Sequence, residues 1–227
     1  MKKYNWLPDF VYGGIDGAIT TFAVVAGVEG SGLSVSIILI LGLANLVGDG
    51  FSMAIGKFMS DRAELEQMKA AQSEEKDTIL HRPEAEQALV SEVLEKNKVG
   101  VQDTNRILGL IAKHPKSWLE ILMRHEMRVA QESINPMKGA AATFFAFLLI
   151  GIIPLMAYVL TPFLKLDQSG LFIFSSASTL FALFIIGIIK TRFTDRFWLW
   201  AGLETAAIGG VAAALAYFVG YLAQMIL

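Results

Sequence analysis

The chain has 227 residues, of which 54% are hydrophobic and only 18% charged, with a mean hydropathy of +0.52; a soluble domain of this length carries nearer a quarter charged residues, so an integral membrane protein is expected. The formal net charge of −2 and the absence of a basic stripe with interleaved aromatics argue against a nucleic-acid binder. With no cysteine, disulfides, thiolate metal sites and thiol nucleophiles are excluded.

The N-terminus, MKKYNWLPDF, lacks the long apolar stretch and small-residue cleavage site of a signal peptide, so the first span is expected to act as its own membrane signal. Five runs reach the roughly 20 mostly apolar residues needed to cross a bilayer: 10–29, 34–58, 139–161, 170–190 and 198–225. The turn Glu29–Gly32 joins the first two. Pro162 and Asp167 mark a second short loop, and Lys190–Arg196 a third. The chain thus divides into spans 1–2 (1–58), a polar segment (59–138) and spans 3–5 (139–227).

The polar segment reads as helices without strand periodicity. Residues from Ser60 to about Leu80 continue the second span with no Gly or Pro between them. Pro83 suits the first position of the next helix, to about Asn97. Gly100 breaks it, and Asp103 is expected to cap a third helix ending near His114. Pro115 then starts a fourth, to about Ser133, before Asn135 and Pro136 turn the chain back. Lys2, Lys3, the polar segment, Lys190, Arg192 and Arg196 fall on one side, and Lys165 on the other. By the positive-inside rule the N-terminus and polar segment are cytoplasmic and the C-terminus is outside.

Few ionisable residues fall within the spans. Asp16, Asp49 and Glu204 stand out; Asp16 and Asp49 sit well inside their runs, with no basic partner in any span. An intramembrane carboxylate points to a functional site; the alternative is a structural carboxylate held by backbone donors or a neighbouring Thr. Glu204 lies near the start of its span and can reach the interface. Asn45, Asp49 and Met53 are spaced four apart and share one helix face, as do Asp16 and Thr20. Carboxylate and amide oxygens beside a thioether suit a divalent cation of intermediate softness, Fe²⁺ or Mn²⁺, better than an organic solute; for Met53 alone, simple packing explains the residue as well.

Small residues also recur at four-residue spacing: Gly13 and Gly17; Ala44, Gly48, Ser52 and Gly56; Gly202, Ala206, Gly210 and Ala214. They indicate close helix packing, within a bundle or a dimer. The acids of the polar segment, Glu64, Glu74, Glu75, Asp77 and Glu86 among them, read mainly as a solvated face in i,i+4 pairs with Lys and Arg. One cluster is more suggestive. Met123, Glu126 and Met127 share a face, and with Glu75 and Glu86 opposite they could form an oxygen and sulfur cation site.

The segments DGAITTFAVVAGV (16–28), GLANLVGDGFSMAIGKFMSDRAE (42–64), HPKSWLEILMRHE (114–126), LFALFIIGIIKTRFT (180–194) and LETAAIGGVAAALAY (203–217) closely resemble the vacuolar iron transporter family, including its bacterial and nodulin-like members. The resemblance covers nearly the whole chain. It implies an all-α membrane protein: five transmembrane helices, with a cytoplasmic helical metal-binding domain inserted between spans 2 and 3. It further implies a homodimer that moves Fe²⁺, and often Mn²⁺, out of the cytosol in exchange for protons. In this likeness Asp16 and Met53 line a metal path between subunits, and Glu75, Glu86, Met123 and Glu126 collect metal in the cytoplasm. Thr78, Leu89 and Leu122 stand where other members carry Glu or Met, with Asp77 or Glu74 able to substitute for the first, and Asn45 stands where some carry Glu.

The resulting expectation is a secondary transporter, not an enzyme. Its cargo is Fe²⁺ or Mn²⁺, with Co²⁺, Ni²⁺ and Zn²⁺ as further candidates, and no cofactor is expected. Metal passes from the acidic helices to Met53 and Asp16, while Asp49 or Glu204 takes up protons. The expected membrane is a bacterial plasma (inner) membrane, or that of an acidic organelle in a eukaryote. Two alternatives compete. A ferritin-like ferroxidase needs Glu-x-x-His pairs, but Thr78, Ile111 and Leu122 precede His81, His114 and His125 by three. A non-transporting scaffold or metal sensor leaves Asp16 and Asp49 unexplained.

Overall fold

The computed structural model describes residues 4–81, 83–114, 116–117 and 134–226. All regular structure among them is helical. In chain order the helices are α1 (Leu7–Gly30), α2 (Val35–His81), α3 (Pro83–Lys96), α4 (Val101–Ala112), α5 (Pro136–Gly151), α6 (Ile153–Val159), α7 (Thr161–Leu164), α8 (Gln168–Lys190) and α9 (Trp198–Ile226), with a 3₁₀ turn at Thr191–Phe193. The chain divides into two compact units. One comprises Tyr4–Asp61 with Ile134–Leu227, the other Arg62–Ser133 with Met1–Lys3, and the first boundary falls inside α2.

Among the described residues four segments are long and apolar enough to cross a membrane: Leu7–Gly30, Val35–Thr78, Gln168–Phe193 and Trp198–Ile226. The fifth expected span, 139–161, is not one straight helix. It is the pair α5 and α6, bent by 41°. Pro154 supplies the cause: it has no N–H to donate back along the helix, and its ring crowds the carbonyl of Ile150. The Ser175 hydroxyl of α8 donates to the Pro154 carbonyl at 2.6 Å, fixing the bent segment to its neighbour.

Helix α1 is the centre of the larger unit, packing against α5, α6, α8 and α9. Its glycines permit this. A Cβ on Gly13 would collide with the Thr143 backbone, and one on Gly17 with the Phe147 backbone, so α1 and α5 touch main chain to main chain. The turn after α1 depends on Gly32, whose φ of +67° is a left-handed conformation costly to residues with a Cβ.

Helix α2 contacts this unit along one side only. Ile38 joins Val25, Leu155 and Tyr158 in the core, and Gly50 faces Phe147 and Phe144. Its other flank leaves Ile40, Val47, Phe51 and Ile55 exposed. The stripe of small residues on α2 behaves differently from that on α1, since Gly48 and Gly56 have nothing within 4 Å of where a Cβ would stand.

In the smaller unit, Val90 is buried among Leu94, Leu108 and Ile111, joining α3 to α4. The expected continuity of the second span is present, because α2 runs unbroken to His81. Asp103 does not cap α4. Gly100 holds that position with no side-chain bond, and Asp103 lies in the first turn, where its charge meets the positive end of the helix dipole. The expected fourth helix from Pro115 lies almost wholly outside the described residues.

Candidate functional site

The larger unit contains an open cavity of about 670 Å³ between α1 and α2. From α1 it is lined by Pro8, Asp9, Tyr12 and Asp16, and from α2 by Asp49, Ser52, Met53, Gly56, Lys57 and Ser60. Helical geometry explains both sets. Positions 9, 12 and 16 fall on one face of α1, and 49, 53 and 57 recur every four residues on α2. Ser52 and Gly56, being small, leave the space that the cavity occupies.

The cavity thus brings together three of the residues singled out in the sequence: Asp16, Asp49 and Met53. Both carboxylates are half-buried. The Tyr12 hydroxyl points at the Met53 sulfur from 3.9 Å, a long contact that orients the thioether more than it binds it. Thr20 and Asn45 lie beyond the lining. The Thr20 hydroxyl donates to the Asp16 carbonyl at 2.9 Å. The Asn45 Nδ2 is buried with no hydrogen-bond partner among the described residues.

Glu204 is elsewhere: its carboxylate pairs with Arg196 at 2.9 Å, both side chains being exposed. Neither Asp16 nor Asp49 makes an ion pair among the described residues; the cavity nevertheless holds a basic residue, Lys57. Lys57 Nζ lies 3.0 Å from Asp9 and 2.7 Å from Asp61. Tyr4 donates its hydroxyl to the remaining Asp9 oxygen. Burial, with that bond second, pushes the Tyr4 phenol well above its ordinary pKa, so it stays a donor. A Cβ at Gly139, in the first turn of α5, would come within 2.7 Å of the second Asp61 oxygen.

Asp9, Tyr12, Lys57 and Asp61 are the residues that sequence reasoning missed. A signal existed, because Asn45, Asp49, Met53, Lys57 and Asp61 form one unbroken series at four-residue spacing.

In the smaller unit Glu64, Glu74 and Asp77 are exposed on α2. The i,i+4 pairing expected of such a face is present as Arg62–Glu66 at 2.9 Å, while the His81 ring, charged only when protonated, lies 3.1 Å from the Asp77 carboxylate. Exposed pairs of this kind contribute well under about 1 kcal/mol each. No group of three His, Asp or Glu able to hold a metal ion occurs among the described residues. The side chains of Glu75 and Glu86, and all of Met123, Glu126 and Met127, lie outside them.

Chemically, the cavity offers hard carboxylate oxygens and one soft sulfur. That combination suits a borderline divalent cation. A family model described as the VIT family matches residues 7–221. Vacuolar iron transporter 1 of Arabidopsis thaliana is 32% identical over 219 residues, covering 95% of this chain and 85% of its own length. The vacuolar iron transporter of Centaurea cyanus is 32% identical over 212 residues, 92% of this chain and 84% of the relative. That of Toxoplasma gondii is 30% identical over 228 residues, 98% and 76% of the two chains.

Proposed function

The chain belongs to the VIT family, and from that premise we propose that it moves Fe²⁺, and Mn²⁺ beside it, out of the cytosol in exchange for protons. The observation that carries the reading is the cavity, where Asp16, Asp49 and Met53 converge in a chain similar to named iron transporters. Fe²⁺ sheds part of its water and gains carboxylate oxygen and thioether sulfur in return. Asp16 and Met53 are the main ligands. Asp49, across the cavity from Asp16, holds a proton when the cation has left, since one carboxylate cannot keep both.

The acidic and thioether residues of the polar segment, Glu64, Glu74, Glu75, Asp77 and Glu86 with Met123, Glu126 and Met127, gather cations for transport. Asn45 and Thr20 continue it beyond Asp49 and Asp16, and Glu204 takes part only when it leaves Arg196. The protein works as a homodimer: the exposed side of α2, with Gly48 and Gly56 open, faces the second copy. The Lys- and Arg-bearing side faces the cytoplasm, so the cation leaves toward the opposite side. The relatives named above are vacuolar by name; for this chain we propose a bacterial plasma membrane.

Purified protein in liposomes tests this. An acidic lumen is expected to draw external Fe²⁺ inward, and collapse of the pH gradient with nigericin to cut the initial rate by about tenfold, as expected where the proton gradient supplies the driving force. An equal rate with and without the gradient removes proton coupling. The absence of any flux above protein-free liposomes removes transport.

A further inference from the structure

Lys57 is an unusual neighbour for a cation site. The charged residues lining the cavity are Asp9, Asp16, Asp49 and Lys57, three carboxylates and one ammonium. The ammonium is fixed between Asp9 at 3.0 Å and Asp61 at 2.7 Å. Asp61 is buried and stands behind it, outside the lining, with its other oxygen against the first turn of α5. The dipole of that helix end offsets part of a negative charge there. Asp9 faces the cavity, so within the lining Lys57 offsets one of three negative charges. The lining as a whole carries a net charge of −2, three carboxylates against one ammonium, the number that one divalent cation neutralises.

We propose that Lys57 is a built-in counter-cation that sets the charge of the cavity, holding divalent cations loosely enough to be released. This rests on the cavity being the cation path. Electrostatics argues for the role over that of a simple strut between α1 and α2. A strut can be apolar, and holding a charged ammonium in a partly buried site beside a cation path weakens every cation that enters. The Lys57–Asp9 pair also lets the two carboxylates deeper in the cavity act without a third competing for the ion.

The test is Mn²⁺ binding to the full-length protein in detergent, read by the loss of the free-ion electron paramagnetic resonance signal, with Mn²⁺ flux in liposomes as second readout. Asp16→Asn identifies which part of the binding belongs to the cavity. Lys57→Gln is expected to tighten that part about tenfold and to lower the KM for flux while lowering the maximal rate, because release slows. Asp9→Asn is expected to weaken it by a similar factor. The double variant Asp9→Asn/Lys57→Gln is expected to return near wild type, because the net charge is restored although the ion pair is gone. Lys57→Arg is expected to bind as wild type.

A strut gives a different pattern: Lys57→Gln and the double variant both lose maximal rate, with KM and affinity unchanged, which overturns the proposal. Cavity binding that Lys57→Gln leaves unaltered overturns it alone. Binding wholly insensitive to Asp16→Asn overturns it together with the cavity assignment.

Discussion

Replacing Asp16 by Asn is expected to cut Fe²⁺ flux by about 100-fold, on the order of 3 kcal/mol, because it removes a full charge from a ligand while keeping its shape. The fold should not suffer. Asp16 makes no ion pair among the described residues, and the bond from Thr20 goes to its backbone carbonyl, which Asn retains. Burying an unpaired carboxylate costs free energy in the empty protein, so the variant should melt at or above the wild-type temperature. Loss of flux together with undiminished thermal stability assigns the effect to the cation path. Flux within threefold of wild type would take Asp16 out of it.

Met53→Leu separates the two kinds of donor. The volumes are close, and such exchanges cost under about 1.5 kcal/mol even in a packed core, while Met53 is only half-buried. The variant loses the thioether and the long contact from Tyr12 but keeps the cavity wall. Fe²⁺ flux is expected to fall about tenfold and Mn²⁺ flux less, since Mn²⁺ is the harder ion and loses less with the sulfur. Direct competition between the two ions reads the ratio. An unchanged ratio with unchanged rates means that sulfur does not touch the cargo.

Much of this arrangement was legible before the fold was known, for reasons that lie in the physics of the chain. Lengths of apolar sequence announce spans, and the lack of Gly or Pro after Phe58 announced the continuity of α2 to His81. Asp16, Asp49 and Met53 stood out because polar atoms in apolar helices need a purpose. The bend at Ile152 was missed although Pro154 signals it, since an apolar run of the right length hides a break in direction.

Lys57 was hidden for another reason. A lysine near the end of a span ordinarily extends toward water, and only the fold turns its ammonium back between Asp9 and Asp61. Asp9 lies just before the first apolar run, and the spacing that unites it with Asp16 is visible only once α1 is known to begin at Leu7. The Arg196–Glu204 pair spans eight residues across the start of α9, a separation that no helical rule selects.

The cavity itself can be interrogated directly because the chain has no cysteine, so that a single Met53→Cys thiol is the only target for a thiol-specific reagent. A charged methanethiosulfonate applied from the side of the polar segment to protein in liposomes is expected to modify Cys at this position and abolish Fe²⁺ flux, while Mn²⁺ slows the modification as its concentration rises. Modification that leaves flux intact, or that proceeds at one rate with and without the metal, would contradict a cation path between α1 and α2.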